Sequence, residues 1–227
     1  APAFAADING SNICGCMKVA TTNVQTIVGV PWVEVKSGDA IKVANLVKTD
    51  DLDAGTRLYV YSADTWYLYT LTNGAWVPAT TATSQDKLAI AAAPVDQTIV
   101  QGSAIIIEQL GAVKPFYVFG QYKSDAVTTT ISEGYNLCAS PKAEAFDPNG
   151  SGKITGATQD DAIVIPLAGG KSTTYIYNAD KSEWGFYERQ TITKGGRSLS
   201  TQVWKKASVI PLGTGFWYVS ANDSQKT

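Results

Sequence analysis

Three consecutive runs decide the fold of this chain: Asp161-Ala-Ile-Val-Ile-Pro-Leu167, Ser172-Thr-Thr-Tyr-Ile-Tyr-Asn178 and Lys181-Ser-Glu-Trp-Gly-Phe-Tyr187. Each run is rich in β-branched or aromatic residues and is separated from the next by turn-forming residues, a pattern that predicts strands. A comparable set occurs earlier, as Gly55-Thr-Arg-Leu-Tyr-Val-Tyr-Ser62, Asp64-Thr-Trp-Tyr-Leu-Tyr-Thr-Leu71 and Asn73-Gly-Ala-Trp-Val-Pro78. The recurrence predicts a duplicated β-rich unit of roughly 100 residues.

The flanking segments recur as well. Gln25–Trp32 and Thr130–Leu137 open the two units, and Thr98–Glu108 and Ser208–Ser220 close them. Asn73-Gly74, between two aromatic runs, predicts a type I′ hairpin turn.

We therefore expect an all-β protein with two similar β-sandwich-like domains, copy one at residues 19–123 and copy two at residues 124–221. Residues 1–18 have no counterpart before copy two and are expected to form an N-terminal strand extension, and residues 222–227 form a polar tail. Only the windows 86–93 and 142–146 have a helical pattern.

Composition narrows the class of protein. The net charge is −2 and there is no long basic run, so neither nucleic acid nor an anionic membrane surface is expected as a partner. No apolar stretch approaches the roughly 20 residues that span a bilayer, so no membrane insertion is expected. The start at Ala1, followed by small residues, is typical of the mature end left by signal-peptide cleavage. These features predict an extracellular or cell-surface protein.

Neither copy carries an obvious catalytic set of residues, although a Ser–Lys pair stays formally possible. The chain contains no histidine, which excludes every triad or dyad that uses imidazole as its base. No Gly-x-Ser-x-Gly elbow or Ser-x-x-Lys motif stands at a strand-to-helix turn. Glu108, Glu183 and Glu188 lie near aromatic residues, so a pair of carboxylates that act as in a hydrolase stays an alternative. We expect no catalytic residue and no cofactor.

One loop resembles half of a calcium site. Asp147, Asn149 and Ser151 occupy the first, third and fifth positions of an EF-hand-like pattern, with Gly152 at the sixth. The twelfth position is Thr158 instead of a bidentate glutamate, and no helices flank the loop. The favoured interpretation is a turn between strands, with calcium as the alternative.

Aromatic residues recur in both copies and could form a sugar-stacking face. The five candidates are Trp66, Tyr69, Trp76, Tyr177 and Trp184. Because alternate residues of a strand point to opposite sides of the sheet, about half of them must face a core. Core packing is the favoured interpretation, and glycan binding is the alternative.

The three cysteines cannot all pair within one chain. Cys14 and Cys16 share one face if their segment is a strand, and either could pair with Cys138, with the other cysteine, or with a neighbouring molecule. The N-terminal extension could pair with the sheet edge of another molecule and so build an open filament, which an intermolecular disulfide would lock. Alternatively, it is the first strand of its own domain.

The chain also resembles a known family. The segments that carry this resemblance are Thr26-Ile-Val-Gly-Val-Pro31, Gly134-Tyr-Asn-Leu137, Asp161-Ala-Ile-Val-Ile-Pro166, Thr173-Thr-Tyr-Ile-Tyr177 and Ile210-Pro-Leu-Gly-Thr-Gly-Phe-Trp217. In these segments the chain resembles exported, uncharacterised β-rich proteins of verrucomicrobial-type bacteria. The resemblance covers most of the chain. It implies export and a β-rich fold, and it carries no established activity.

These observations predict a non-enzymatic structural subunit of an extracellular, pilus-like filament or a surface layer, which assembles with copies of itself by strand pairing. The first alternative is a carbohydrate-binding or adhesive module with an aromatic face. The second is a secreted hydrolase that depends on carboxylates.

Overall fold

The computed structural model describes residues 14–21, 24–35, 37–62, 65–80, 83–85, 88–123, 131–150, 154–194 and 197–222. The regular elements of the described chain are almost all strands, which confirms the prediction of an all-β protein. The strands are β1 (Cys14–Val19), β2 (Gln25–Gly29), β3 (Ile41–Lys42), β4 (Arg57–Ser62), β5 (Thr65–Thr72), β6 (Ala75–Pro78), β7 (Thr83–Gln85), β8 (Leu88–Ala91), β9 (Thr98–Ile99), β10 (Ala104–Glu108), β11 (Phe116–Gln121), β12 (Gly134–Ala139), β13 (Ala162–Pro166), β14 (Ser172–Asn178), β15 (Glu183–Lys194), β16 (Arg197–Lys206) and β17 (Gly215–Ser220).

Two short helical elements interrupt the described strands. They are α1 (Val43–Leu46) and a 3₁₀ turn at Ala168–Gly170. Among the described residues, no helix combines the length and the apolar character that crossing a membrane requires.

We call residues 14–123 domain one and residues 131–222 domain two. The described strands of domain one include a seven-stranded sheet in the order β2-β10-β4-β5-β8-β7, with β6 also paired to β5. Two-stranded sheets, β1-β11 and β3-β9, cover one face of this sheet together with α1. Strand alternation builds the core between them, since Leu58 and Val60 of β4 point into it while Tyr59 and Tyr61 point to the other face. The arrangement is β-sandwich-like.

The predicted hairpin turn at Asn73-Gly74 is confirmed. It joins β5 to β6, with Thr72 opposite Ala75. Both turn residues have positive φ, 50° and 77°, as a type I′ turn requires, and asparagine and glycine are the residues that tolerate this conformation.

Domain two, residues 131–222, is a six-stranded antiparallel sheet in the order β12-β17-β13-β14-β15-β16. One face carries a core of Ile163, Trp184, Phe216 and Tyr218. The loop after β12 covers this core and stacks Phe146 on Phe216, with ring centroids 5.8 Å apart. Large aromatic residues thus supply much of the apolar area that domain two buries.

The two large sheets share a strand order. In domain one the opening strand β2 pairs with the closing strand β10, which is followed by β4, β5 and β6. In domain two the opening strand β12 pairs with the closing strand β17, which is followed by β13, β14 and β15. These strands are the segments that recur in the sequence.

Strand β1 pairs within its own chain. It runs antiparallel to β11, from Cys14 opposite Gln121 to Val19 opposite Phe116. The described part of the N-terminal extension is therefore the first strand of domain one, which was the alternative interpretation of this segment. Residues 1–13 lie outside the described residues, as do 223–227 of the polar tail.

Both helical windows were predicted wrongly in their described residues. Leu88–Ala91 is strand β8, which pairs with β5 in parallel and with β7 in antiparallel orientation. Residues 142–146 form bends and one bridge, in which the backbone of Phe146 exchanges two hydrogen bonds with Ile210. In both windows long-range backbone pairing overrides local helix propensity.

Small residues bring the two domains into close contact. The outer face of the domain-one sheet packs on β12 and β17 through Ala104, Leu137 and Ala139, with Trp66 against Trp217 at a centroid distance of 6.0 Å. The contact also includes backbone hydrogen bonds, since the N–H of Gly29 donates to Gly213 O at 2.8 Å and the N–H of Ala139 to Gly102 O at 2.9 Å. A Cβ at Gly29 would lie 2.6 Å from that of Ala139, so the sheets could not approach this closely with a larger residue there.

Candidate functional site

The loop that resembles half of a calcium site has its described residues engaged in a turn, as the favoured interpretation of the sequence expected. Asp147 Oδ1 accepts the N–H of Asn149 at 2.9 Å. The side chain of Asn149 accepts the N–H of Trp184 at 2.7 Å and donates to its carbonyl at 3.0 Å. The Asn149 oxygen therefore ties the loop to β15. Ser151 lies outside the described residues, and among the described ones no three His, Cys, Asp or Glu side chains form a metal-binding group.

The five aromatic candidates do not form one face. Tyr69 and Trp184 are each 1% exposed and belong to the cores of domain one and domain two, respectively. Trp66 lies at the contact between the domains, and Trp76 and Tyr177 pack on the edges of the two cores. Because Trp66 and Tyr69 are three residues apart on one strand, alternation alone places them on opposite faces.

The cysteines are free thiols, and an intrachain disulfide is absent from the fold. Cys14 and Cys16 are exposed on β1, whereas Cys138 is 7% exposed and faces the core of domain two. Burial raises the pKa of Cys138 to about 12, which makes this thiol a poor nucleophile. Pairing of Cys138 with Cys14 or Cys16, one of the alternatives that the sequence left open, is not seen, and these thiols lie on different domains in opposite environments.

A buried carboxylate, Glu108, lies at the end of β10. It accepts hydrogen bonds from Gln25 Nε2 at 2.8 Å, Tyr59 Oη at 2.9 Å and Arg57 at 3.1 Å. Burial works to raise the pKa of Glu108, but these three donors outweigh it and hold the pKa below the usual range. Glu108 therefore stays ionised and acts as a hydrogen-bond acceptor, not as an acid.

A second buried carboxylate, Asp161, closes domain two. It accepts the hydroxyl of Tyr218 and the N–H groups of Thr158 and Ala221, each at 2.8 Å. These bonds fasten the turn before β13 and the chain after β17 to one side chain. Buried polar groups with such a full set of partners stabilise the fold.

An open groove lies between the domains beside Glu108. It has a volume of about 870 Å³. Its walls are Gln25, Ile27 and Ile106 from domain one and Val164, Pro166, Lys171 and Trp217 from domain two, among others. The groove thus combines apolar walls, one tryptophan and one charge of each sign.

The most distinctive surface element is a long hairpin that the sequence prediction missed. β14 pairs with β15 only from Glu183 to Gly185, whereas β15 and β16 continue to pair with each other as far as Lys194 opposite Arg197. We call residues 187–194 and 197–204 the hairpin arm. At about 3.4 Å per residue it is nearly 30 Å long.

The hairpin arm exposes apolar side chains. Ile192 and Leu199 lie opposite each other and are 51% and 61% exposed. At its base the ring of Tyr187 meets that of Trp204 edge-on, 5.0 Å between centroids.

Two carboxylates flank the base of the arm. Glu183 accepts Trp204 Nε1 at 2.8 Å and pairs with Lys206 at 2.7 Å, and these contacts lower its pKa. Glu188 lies 3.7 Å from Lys205. Both glutamates thus form charge pairs along the hairpin.

Comparisons of the chain with protein-family models, with curated proteins and with solved structures found no match. The resemblance to exported proteins of verrucomicrobial-type bacteria stays a prediction.

Proposed function

We propose that this protein is a non-enzymatic structural subunit of an extracellular filament or surface layer, and that the hairpin arm is the element by which one copy holds the next. The observation that carries the proposal is the arm itself. It is a two-stranded ribbon that continues beyond the sheet, with the exposed pair Ile192 and Leu199 near its end.

The energetics of such a ribbon favour a partner. An isolated two-stranded hairpin is marginally stable in water, and it becomes stable when a further strand or a packed surface covers it. Among the described strands, β16 also forms the edge of its sheet, so its outer backbone groups can accept another strand. Fully burying an isoleucine or a leucine contributes about 1.5–3 kcal/mol each.

Charge favours a second copy of this chain as the partner. The arm carries Arg189, Lys194 and Arg197 against the single carboxylate of Glu188, a net charge of +2. Since the whole chain carries −2, the rest of the molecule carries −4. The arm of one copy is therefore attracted to the body of another, and a head-to-tail contact of this kind that does not close on itself extends into a filament.

We also propose that the two domains arose by duplication. This is supported by the recurrence of five sequence segments and by their common spatial order, opening strand, closing strand and three further strands. Domain one would then have added β1, β3, β11 and the strands between β6 and β10. Domain two would have lengthened its fifth strand into the arm.

Shortening the arm tests its role. Deletion of residues 191–194 and 197–200 joins Gln190 to Gly195 and Gly196 to Thr201, and Gln190 already lies opposite Thr201. Four residue pairs are an even number, so the strand faces keep their orientation. We expect the full chain to form oligomers or filaments that grow with protein concentration, and the shortened chain to stay monomeric.

The double variant Ile192→Asp/Leu199→Asp is a milder test. Its matched control is Val95→Asp, an exposed valine in domain one. Sedimentation velocity and electron microscopy in reducing buffer measure the size and shape of the assemblies, and circular dichroism checks the fold. A full chain that is monomeric at every concentration, or variants that assemble like the full chain, would overturn the proposal.

A second candidate function rests on the groove between the domains. A groove with a tryptophan, apolar walls and two charged groups at a domain interface is typical of sites for small ligands, glycans among them. Binding to a glycan array that is lost in Trp217→Ala and kept in Trp204→Ala would favour this function. If both variants still bind the glycan, the groove is not the binding site.

A further inference from the structure

We propose that the edge of β1 is a redox-locked junction, at which β1 pairs with β1 of a second copy about a two-fold axis through Gly15 and two symmetric disulfides join Cys14 of each copy to Cys16 of the other. This inference deepens the proposed function, on which it rests for its biological context. It names the partner, the register and the chemistry of a second contact that is separate from the hairpin arm.

The backbone of β1 directs some of its hydrogen-bonding groups to its outer edge, away from β11. On β11, Gln121 exchanges two hydrogen bonds with Val33, at 2.9 and 3.0 Å, so its N–H and C=O point away from β1. Tyr117 likewise turns its carbonyl away, toward the N–H of Lys48 at 3.0 Å. In an antiparallel ladder the residue opposite such a position also directs its backbone groups outward.

It follows that Cys14, opposite Gln121, and Lys18, opposite Tyr117, direct their N–H and C=O to the outer edge, and that Cys16 between them does the same. Gly15 and Met17 bond to β11 instead. Among the residues that the structure describes, no strand pairs with this outer edge. The edge can therefore accept an antiparallel strand.

The side chains of β1 are sorted by face. Gly15 points inward, where an added Cβ would overlap the ring of Trp32, and Met17 is buried. Cys14 and Cys16 are both exposed and lie on the opposite face. One strand edge thus presents two accessible thiols side by side, and both carry outward-pointing backbone groups.

A two-fold axis at Gly15 brings these thiols together. It places Gly15 opposite its own copy, and Cys14 opposite Cys16 of the second copy on both sides of the axis. Each cysteine pair is then a hydrogen-bonded pair with Cα atoms about 5.5 Å apart, within the range that a disulfide spans. The extended strand separates Cys14 from Cys16 of the same chain by about 6.6 Å, near the upper limit of that range.

The redox step balances with a small disulfide as oxidant. A thiolate of one copy attacks a low-molecular-weight disulfide such as oxidised glutathione and releases one thiol. The facing cysteine then attacks the mixed disulfide and releases the second. Formation of the two interchain disulfides oxidises four protein thiols and reduces two molecules of the small disulfide to four thiols.

The junction has a distinct place in an assembly. A two-fold contact closes after two copies, so it cannot by itself build a filament. The arm contact extends the assembly, and the β1 junction joins two copies covalently. An oxidising environment, as outside the cell, would favour the locked form.

Complementation between single-cysteine variants tests the register. The full chain, Cys14→Ser, Cys16→Ser and an equimolar mixture of the two variants are incubated with oxidised glutathione, and non-reducing gels and mass spectrometry identify the products. Different affinity tags distinguish the two variants. We expect a crosslinked dimer from the full chain, none from either variant alone, and a crosslinked heterodimer from the mixture, with every crosslink reversed by dithiothreitol.

Each other outcome overturns a stated part of the inference. Dimers from Cys14→Ser alone would place Cys16 opposite itself, and dimers from Cys16→Ser alone would place Cys14 opposite itself; either excludes the register centred on Gly15. No dimer from the full chain excludes the junction. The arm-shortened chain separates this inference from the proposed function, since it should still form the crosslinked dimer, whereas arm-dependent assembly is measured in reducing buffer.

Discussion

The hydrogen bonds to Glu108 allow the loss of stability in the variant Glu108→Gln to be predicted quantitatively. The carboxamide keeps the shape of the side chain but removes its charge and turns an N–H₂ group toward the donors Tyr59 and Arg57. Hydrogen bonds to a charged group contribute about 1.5–3 kcal/mol each, against about 1 kcal/mol for neutral pairs. With three bonds affected, and Arg57 partly exposed, we expect the free energy of unfolding of domain one to fall by about 2–4 kcal/mol at pH 7.

Acid should reduce the difference in the free energy of unfolding between the natural chain and Glu108→Gln. Because the pKa of Glu108 is held below its ordinary value of 4.5, the stabilisation is fully present above that value and is lost as the pH falls through the folded-state pKa. The glutamine variant does not titrate at this position. The difference in stability between the natural chain and Glu108→Gln should therefore be constant from about pH 7 to 5 and shrink below about pH 4.

Urea unfolding followed by tryptophan fluorescence measures both effects, since each domain contains three of the six tryptophans. Glu144→Gln, at an exposed glutamate, is the matched control and should change stability by less than about 0.5 kcal/mol. A difference near zero at pH 7, or one that does not change down to pH 3, would refute the assignment of Glu108 as an ionised, stabilising acceptor.

Three further predictions concern the packing. Gly215→Ala should lower stability by about 1–3 kcal/mol in urea unfolding, because the added methyl group would overlap Ile27 at the domain contact, and an unchanged midpoint would contradict that contact. A maleimide should label two cysteines of the native protein rapidly and Cys138 only in denaturant, whereas three rapid reactions by mass spectrometry would show that Cys138 is not buried. Asn149→Ala should destabilise domain two by about 1–3 kcal/mol, since the Trp184 N–H loses its acceptor while the Trp184 carbonyl keeps only the N–H of Ala207, and added calcium should not restore the melting temperature if the loop is only a turn.

The fold class could be predicted because its signals are local. Short aromatic and β-branched runs and the Asn73-Gly74 turn are encoded within a few residues, and the structure places strands and a hairpin there. Strand alternation could also have excluded the aromatic face, since Trp66 and Tyr69 differ by an odd number of positions.

The remaining features depend on partners far away in the sequence. That β1 belongs to domain one follows from its pairing with β11, which no local pattern reveals. The hairpin arm had a signal, because Gly195-Gly196 separates two runs that alternate Thr, Ile, Leu and Val with polar residues. Its polar composition concealed it, since the strands that the sequence predicts are those rich in aromatic and β-branched residues. Tertiary contacts likewise decide which buried carboxylates accept hydrogen bonds.

Both domains are closed by pairing between distant ends of their chain segments. β1 meets β11 in domain one, and β12 meets β17 in domain two. Contacts of such long sequence separation slow folding, whereas a hairpin with local pairing forms within microseconds. We therefore expect the arm to form first, as a marginally stable hairpin, before the body that carries it is complete. The pairing of β1 with β11 and of β12 with β17 then sets the rate at which new copies become able to assemble. Before these strands pair, the chain exposes apolar surface and is most prone to aggregate.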